Sequence, residues 1–505
     1  MINRITSIYK TLKKDNIHAF DFLWVTICFD GVLRKNLLIM KTSKTFYTLL
    51  IATFLGATHL GFSQGTTSPS LSEDKILINN IGSPWGMAFI NNDELLFTEK
   101  AGKLRRYKIS TNTNTEITGL PAIAQNGQGG LLDVALHPDF SSNGFVYLSY
   151  CLAGTGGHTT ALGRGRLVGN QLQNFSELFR ALPFFTSGNH FGSRIAFDKY
   201  KFLYLSVGDR GTMANAQNTN VHPGKVMRLK DDGTVPSDNP LVGVPNTKPE
   251  IYSWGHRNIQ GMAMNPANGK IYAHEHGPQG GDELNLVEKG KNYGWPTITF
   301  GLNYGGGIIS TDTARPGLEQ PLTYWVPSIA PSGLVFIQNN QAEGETDVLL
   351  GALAGTHLHW LKMKDDKKQL ATKSMQGYAR FRDVEQAPDG KLYALTENPN
   401  RLVLLKSNIV ITSLPNEENA TMETDVVFPN PSIGDASIKI SLNTAQEVSV
   451  RILTSEGALA QPTFKQTFTS GITSVPLNAE NLPRGLYHIE ISKGETKSVL
   501  KWVKN

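Results

Sequence analysis

The sequence predicts an all-β fold, a six-bladed β-propeller followed by a small C-terminal β-sandwich, on three observations. A strand–turn–strand phrase recurs six times, the last eighty or so residues form a separate run of short strand patterns, and no stretch sustains a 3.6-residue apolar period beyond about three turns. Composition agrees. With 18% charged and 40% hydrophobic residues, 49 Gly and 25 Pro, the 505-residue chain reads as turn-rich and globular, long enough for more than one domain.

The N-terminal segment accounts for the charge. Lys and Arg number 48 against 43 Asp and Glu, a formal +5. The first 64 residues hold eight of the basic residues and three of the acidic ones, which leaves 40 of each in the remainder. A basic face for nucleic acid therefore has no support. From Met40 the chain shows Lys41 and Lys44, an apolar stretch from Phe46 to about Ala57, and then small and polar residues. This is the layout of a secretory signal peptide over 40–64, too short in its apolar part to span a bilayer, so no membrane span is expected in the mature chain. Residues 1–39 carry no pattern of their own and read as an extension upstream of the true start at Met40. Of the two cysteines, Cys28 and Cys151, removal of the leader leaves one, so no intramolecular disulfide is expected despite export.

The repeated phrase begins at Gly86, Gly130, Gly192, Gly261, Gly333 and Arg382. Each copy has an apolar strand, a turn of Asn, Asp, Pro or Gly, and a second apolar strand. The spacing suits one four-stranded blade per copy, over 75–408. A polar linker follows over 409–424. Strand patterns at VVFPNPSIGDASIKISL, EVSVRILTSEGALA and LPRGLYHIEISKGETKSVLKWVKN then suit a sandwich over 425–505.

Four phrases gather polar residues among the strand signals. GQGGLLDVALHPDF places Gln128 in a Gly-flanked loop before a strand, where glycine allows backbone to approach a ligand. SGNHFGSRIAFD places His190 in the same loop of the next copy. SWGHRNIQGMAMNP places Arg257, Asn258 and Gln260 in the loop after that, and EHGPQGGDELNLVEKGKNYGWP adds carbonyls and carboxylates from Glu275 to Pro296. Loops before the innermost strands would converge at one mouth of a propeller channel. ARFRDVEQAPDG adds Arg380 and Arg382, alternate residues that share a face if this is a strand. No strand-GxGxxG-helix unit for NAD chemistry occurs.

The marks FPNP at Phe428 to Pro431, LPRGLYHIEI and the tail KWVKN resemble the type A C-terminal sorting domain of the type IX secretion system. That resemblance implies export by the type IX machinery to the cell surface or medium. The propeller phrases resemble the soluble aldose sugar dehydrogenases of the glucose/sorbosone dehydrogenase family, which use pyrroloquinoline quinone (PQQ) and calcium.

The second resemblance implies a set of roles. His190 takes the position of the general base, a task suited to imidazole near neutral pH. Arg257 stabilises charge on the reduced quinone. Gln128, Asn258 and Tyr304 are further cofactor contacts, and Arg380 and Arg382 clamp its carboxylates. The carbonyls of Gly277 and Pro278 hold the calcium that polarises the quinone, and Glu283 with the carbonyl of Tyr293 holds a second, structural calcium. The substrate would be an aldose oxidised at C1 to a lactone, with an external electron acceptor. One departure stands out: relatives have a lysine where this chain has Ala354, which predicts weaker quinone binding unless another residue supplies the charge, and Lys362 and Lys364 are near in sequence. A calcium-dependent propeller lactonase and a non-catalytic glycan- or protein-binding propeller remain as alternatives.

Overall fold

The computed structural model of the chain describes residues 68–338, 344–409, 411 and most of 425–504. The extension, the leader and nearly all of the linker expected from the sequence lie outside the described residues. Among the described residues helix is confined to one four-residue turn, Phe140–Asn143, and one 3-10 turn, Met213–Gln217, and no helix is long and apolar enough to cross a membrane.

Six four-stranded antiparallel sheets follow one another from Leu71 to Ser407. Their innermost strands are Pro84–Phe89, Leu131–Leu136, Ile195–Phe197, Ile259–Met264, Pro331–Ile337 and Arg380–Gln386. Each coincides with the first strand of one copy of the repeated phrase. Successive inner strands touch, and the sixth touches the first, so the sheets close into a ring. The core follows the same plan, with one buried apolar cluster between each pair of neighbouring sheets. Leu96 and Leu148, for example, share a cluster between the first and second sheets, and Met87 and Tyr393 share one between the first and sixth. The strand Leu71–Asn79 completes the ring as the outer strand of the last sheet, with Leu71 opposite Ser407 and Asn79 opposite Arg401.

Strand register defines equivalent positions around the channel. In the inner strands Ala88, Ala135, Ala196, Ala263, Val335 and Glu385 hold equivalent places, each facing a residue of the second strand. Two residues earlier stand Gly86, Asp133, Arg194, Gly261, Gly333 and Asp383. This layer thus combines three glycines with three charges. Arg194 Nη1 lies 3.1 Å from Asp133 Oδ1, and its Nη2 lies 2.9 Å from Asp383 Oδ1. Glycine is required beside them: a Cβ on Gly86 would stand 2.4 Å from Asp133 Oδ1, and one on Gly333 2.1 Å from Asp383 Oδ1. Below this layer a cavity of about 370 Å3 is lined by Ala88, Ala135, Ala196 and Glu385.

In the C-terminal segment a three-stranded sheet, containing Ala436–Leu442, and a four-stranded sheet, containing Gln446–Thr454 and Gly485–Lys493, share one apolar core. Ile438, Ile440, Val450, Ile489 and Trp502 meet there, and Trp502 Nε1 donates to Ser432 Oγ at 3.0 Å.

Two consequences for stability follow. Arg194→Met leaves two buried carboxylates without their cation, a loss of about 3–5 kcal/mol that thermal unfolding by circular dichroism should register as a large fall in Tm. Glu385 stands where the other five sheets carry Ala or Val, and burial, followed by the charge of Asp383, raises its pKa well above the usual value. A raised carboxyl pKa gives stability that is present at low pH and lost as pH rises through the folded value. Glu385→Gln should therefore raise Tm at pH 8, and the gain should shrink toward pH 5.

Candidate functional site

At the other end of the channel layer lies a cavity of about 180 Å3. Trp85, Leu132, Phe191 and Leu353 give it flat apolar walls, while Lys100, Gln128, Asn258, Gln260, His276, Arg380 and Arg382 present polar groups. Four of the residues expected from the sequence, Gln128, Asn258, Arg380 and Arg382, therefore meet here. Gln260 joins them from within its strand rather than from the loop before it. Register explains the aim of these side chains. Five of the six inner strands carry a bulge or register shift near their start, between Pro84 and Met87, Leu131 and Val134, Ile259 and Gly261, Pro331 and Leu334, and Phe381 and Asp383. Such irregularities re-aim side chains beside sites.

His190 stands beside this cavity, next to the lining residues Phe191 and Gly192. Its backbone N–H donates to Gln128 Oε1 at 2.8 Å, and its Nδ1 lies 2.5 Å from Asp209 Oδ1. The backbone is held at φ 50°, a left-handed conformation that costs a non-glycine residue about 1–2 kcal/mol. The surrounding contacts enforce it. Arg210 donates to the carbonyls of Ser187, at 2.6 Å, and Asn189, and its guanidinium lies 3.4 Å from the Phe191 ring centre. Asp209 is the residue that sequence reasoning missed. Its carboxylate also accepts from the Gly211 N–H at 2.8 Å and from Trp295 Nε1 at 2.9 Å. Burial pushes its pKa up, but the hydrogen bond and charge of His190 and these further donors bring it below the ordinary value.

The glycines beside Gln128 have close neighbours within the chain. A Cβ on Gly127 would lie 2.6 Å from the Gly188 carbonyl oxygen, and one on Gly129 would lie 2.6 Å from the Phe191 ring. They let this loop press against the His190 loop.

Arg380 and Arg382 do share a face, and both turn toward Glu397 on the neighbouring strand, at 3.2 and 2.7 Å. Arg382 Nη1 also donates to Gln260 Oε1 at 3.3 Å, and Arg380 Nη1 to the Leu353 carbonyl at 3.3 Å. Burial opposes ionisation of Glu397, but the charge and hydrogen bonds of Arg382 and then Arg380 bring its pKa below the usual range. Both guanidinium groups are thus held by contacts within the chain.

A second, smaller cavity of about 10 Å3, room for about one water or ion, adjoins the first through the shared wall of His276. Arg257, Glu275, Gly277, Glu283, Tyr293 and Trp295 line it. Arg257 Nη1 donates to the His276 carbonyl at 3.1 Å, and its N–H to Glu275 Oε2 at 2.5 Å. The loop of Gly277 and Pro278 is fixed by Asp282, which accepts from the Gly277 N–H at 2.9 Å and the Ile329 N–H at 2.7 Å. A Cβ on Gly277 would meet the carbonyl oxygens of Gly280 and Gly281, each at 2.3 Å. Glu283 and Glu275 confront each other across the cavity. Burial first, and then the charge of Glu275, lifts the Glu283 carboxyl to about 8. The carboxylates of Glu275 and Glu283 on the cavity wall are hard oxygen donors of the kind calcium takes, although no group of three or more His, Cys, Asp or Glu gathers among the described residues.

Tyr304 is not brought to either cavity. It is 76% exposed, on a turn in which the Asn303 N–H donates to the Gly307 carbonyl at 2.7 Å. Lys362 and Lys364 do not line the cavities either. They belong to the strand His357–Lys364, and Lys364 pairs instead with Glu345 at 3.7 Å.

Glu397→Gln should lower the Tm of the ligand-free protein at pH 7 by leaving two arginines without a counter-charge. A depressed carboxylate pKa gives stability that is lost as pH falls through it, so the two unfolding curves should converge below about pH 4.

Comparisons with known proteins agree with this fold. The glucose/sorbosone dehydrogenase family matches residues 81–405, and a secretion system C-terminal sorting domain matches residues 426–505. An aldose sugar dehydrogenase of Escherichia coli is 38% identical over 341 residues, covering 65% of this chain and 91% of its own. A glucose dehydrogenase crystal structure superposes with a TM-score of 0.63 at 40% identity, over 67% of this chain and 99% of its own. The PQQ-bound form of an aldose sugar dehydrogenase from Streptomyces coelicolor gives 0.56 at 29% identity, over 67% of this chain and 98% of its own.

Proposed function

Because the chain belongs to the glucose/sorbosone dehydrogenase family, we propose that it is a secreted, PQQ-dependent dehydrogenase that oxidises aldoses at C1 to lactones and passes the electrons to an external acceptor. The observation that carries the reading is the His190–Asp209 pair beside a flat, cation-lined cavity. When bound with calcium, the quinone supplies an electrophilic carbonyl carbon that can take a hydride. Everything else falls to the chain's own residues.

Asp209 engages Nδ1 of His190, so Nε2 is the ring nitrogen left to receive the proton of the anomeric hydroxyl. The hydrogen bonds on Asp209 keep it ionised and able to steady the imidazolium as it forms. Arg257, in the smaller cavity, and the amides of Gln128 and Asn258, in the larger, would meet charge on quinone oxygens, in a site where burial strengthens such contacts. Arg380 and Arg382 present planar donors to carboxylates. The carbonyls of Gly277 and Pro278 would hold the calcium that polarises the quinone, and Glu283 with the Tyr293 carbonyl would hold a second, structural calcium. The amides and cations that line the larger cavity support this reading.

The sorting domain supports export by the type IX machinery to the cell surface or medium, with the leader over 40–64 giving passage to the periplasm.

The mature protein, reconstituted with PQQ and calcium, should reduce an artificial dye when supplied with aldoses. His190→Ala should lower kcat by about 10²–10⁴-fold, and Asp209→Asn should lower kcat with little change in quinone affinity. Sugar-independent dye reduction, or full turnover by the His190→Ala variant, would overturn the assignment.

A further inference from the structure

The register that aligns the inner strands also aligns the ends of the second strands. Leu96, Tyr147, Tyr204, Tyr272, Leu349 and Tyr393 face the equivalent inner positions. Four residues beyond each stand Lys100, Cys151, Gly208, His276, Leu353 and Glu397. These six are one position of the fold, where the second strand reaches the mouth of the channel. Lys100, His276 and Leu353 line the larger cavity, Glu397 holds its two arginines, and a Cβ on Gly208 would lie 2.3 Å from the His190 carbonyl oxygen. Lys100 is the cation of this ring.

Its backbone is pinned on both sides. The Lys100 N–H donates to the Ser83 carbonyl at 2.8 Å, and its carbonyl accepts from the Leu131 N–H at 3.1 Å. The second contact requires glycine at position 130, where a Cβ would stand 2.2 Å from the Lys100 oxygen. The ammonium donates to the Gly127 carbonyl at 3.3 Å, and no carboxylate of the described residues lies within ion-pair distance of it. Burial, then the charge of Arg382, lowers its pKa, and Glu397 opposes them. Lys100 thus shares a field with the two arginines, whose own ion pairs are already made with Glu397. A cation on a pinned backbone, with no carboxylate of the described residues within ion-pair distance and in a partly apolar cavity, calls for an anionic ligand. Ala354 lies one residue past Leu353 and brings no charge to the same rim.

We propose that Lys100 is a third cationic anchor for the carboxylates of the bound quinone, supplying from the first sheet the charge that Ala354 does not supply from the fifth. The inference rests on the proposed PQQ-dependent function and names a binding residue for that cofactor. A compact ammonium on a flexible stem would complement the planar arginines by reaching a carboxylate oxygen that they leave uncovered.

The test is an equilibrium titration of the ligand-free, full-length protein with PQQ in calcium buffer, read by quenching of tryptophan fluorescence. Wild type is measured first. Lys100→Met should then raise Kd by about 10–100-fold, as expected for loss of one charge-assisted contact, while Lys100→Arg should stay within a few-fold of wild type. The double variant Lys100→Met with Ala354→Lys should recover most of the loss. The trimethyl ester of PQQ, which lacks the carboxylate charges, should bind wild type and Lys100→Met alike. Thermal unfolding of each variant establishes that it is folded, and Lys100→Gln replaces Lys100→Met if the latter is not. Tight binding of PQQ by wild type with an unchanged Kd in the folded neutral variant would overturn the role of Lys100 alone. Failure of wild type to bind PQQ would overturn the proposed function, and the anchor with it.

Discussion

The ion triad of Arg194 with Asp133 and Asp383 is the constraint on which the rest of the ring depends. Asp133 belongs to the second sheet, Arg194 precedes the inner strand of the third, and Asp383 belongs to the sixth. Arg194 also donates through Nε to the Gln260 carbonyl of the fourth sheet at 2.6 Å, and its guanidinium lies 4.2 Å from the ring centre of Trp85 in the first. One side chain therefore ties five sheets at the axis, where apolar packing between neighbours cannot reach. Both aspartates have a second task, since Asp133 accepts from the Ile195 N–H and Asp383 from the Met87 N–H, each at 2.8 Å. A guanidinium suits the place because its fixed fork can serve two carboxylates and a carbonyl at once.

The same residue divides the channel. Arg194, Asp133 and Asp383 line the cavity of about 370 Å3 on one side, while Trp85, Gln260 and Arg382, which Arg194 contacts, line the cavity proposed for the quinone on the other. The proposed site thus has a charged floor anchored in several sheets. Its walls come from loops pressed together through Gly127 and Gly129, and its rim comes from the ends of the second strands. A separate buried cation, the ammonium of Lys225, donates to the carbonyls of Asn215, Asn218 and Pro223, the latter two at 2.7 Å, and so ties down the turn that follows Asp209. Rigidity of this kind keeps His190 in a backbone conformation that it would not adopt alone.

Much of this was legible in the sequence. The phrases GMAF, DVAL, RIAF, GMAM, GLVF and DVEQ repeat closely enough to mark every inner strand, and the loops before them led to Gln128, His190 and Asn258. The alternation of Arg380 and Arg382 led to their shared face. Other residues were not legible, for physical reasons. The second-strand position holds Lys, Cys, Gly, His, Leu and Glu, so its equivalence exists only in hydrogen-bond register and not in residue type. Asp209 closes a visible strand phrase, but its role depends on a partner 19 residues away that folds back on it. The glycines of the Gln128 loop signalled a close approach, and the His190 loop is a neighbour that the sequence did not name. Tyr304 matched a contact position by its phrase GLNYGG, whose Asn and glycines are turn signals and agree with the exposed turn on which it stands.

The pairing of Leu71–Asn79 with Arg401–Ser407 gives the ring a seam. Because the first strand is stitched beside the last, the start and finish of the ring are neighbours, and its topology singles out no one gap between sheets as the place where the chain must begin. Joining residue 71 to residue 407 through a short linker and opening the chain at a surface turn between two other sheets would move the seam while leaving the axis, its charged layer and the mouth residues in place. The order of the sheets along the gene is in that sense separable from their order around the axis.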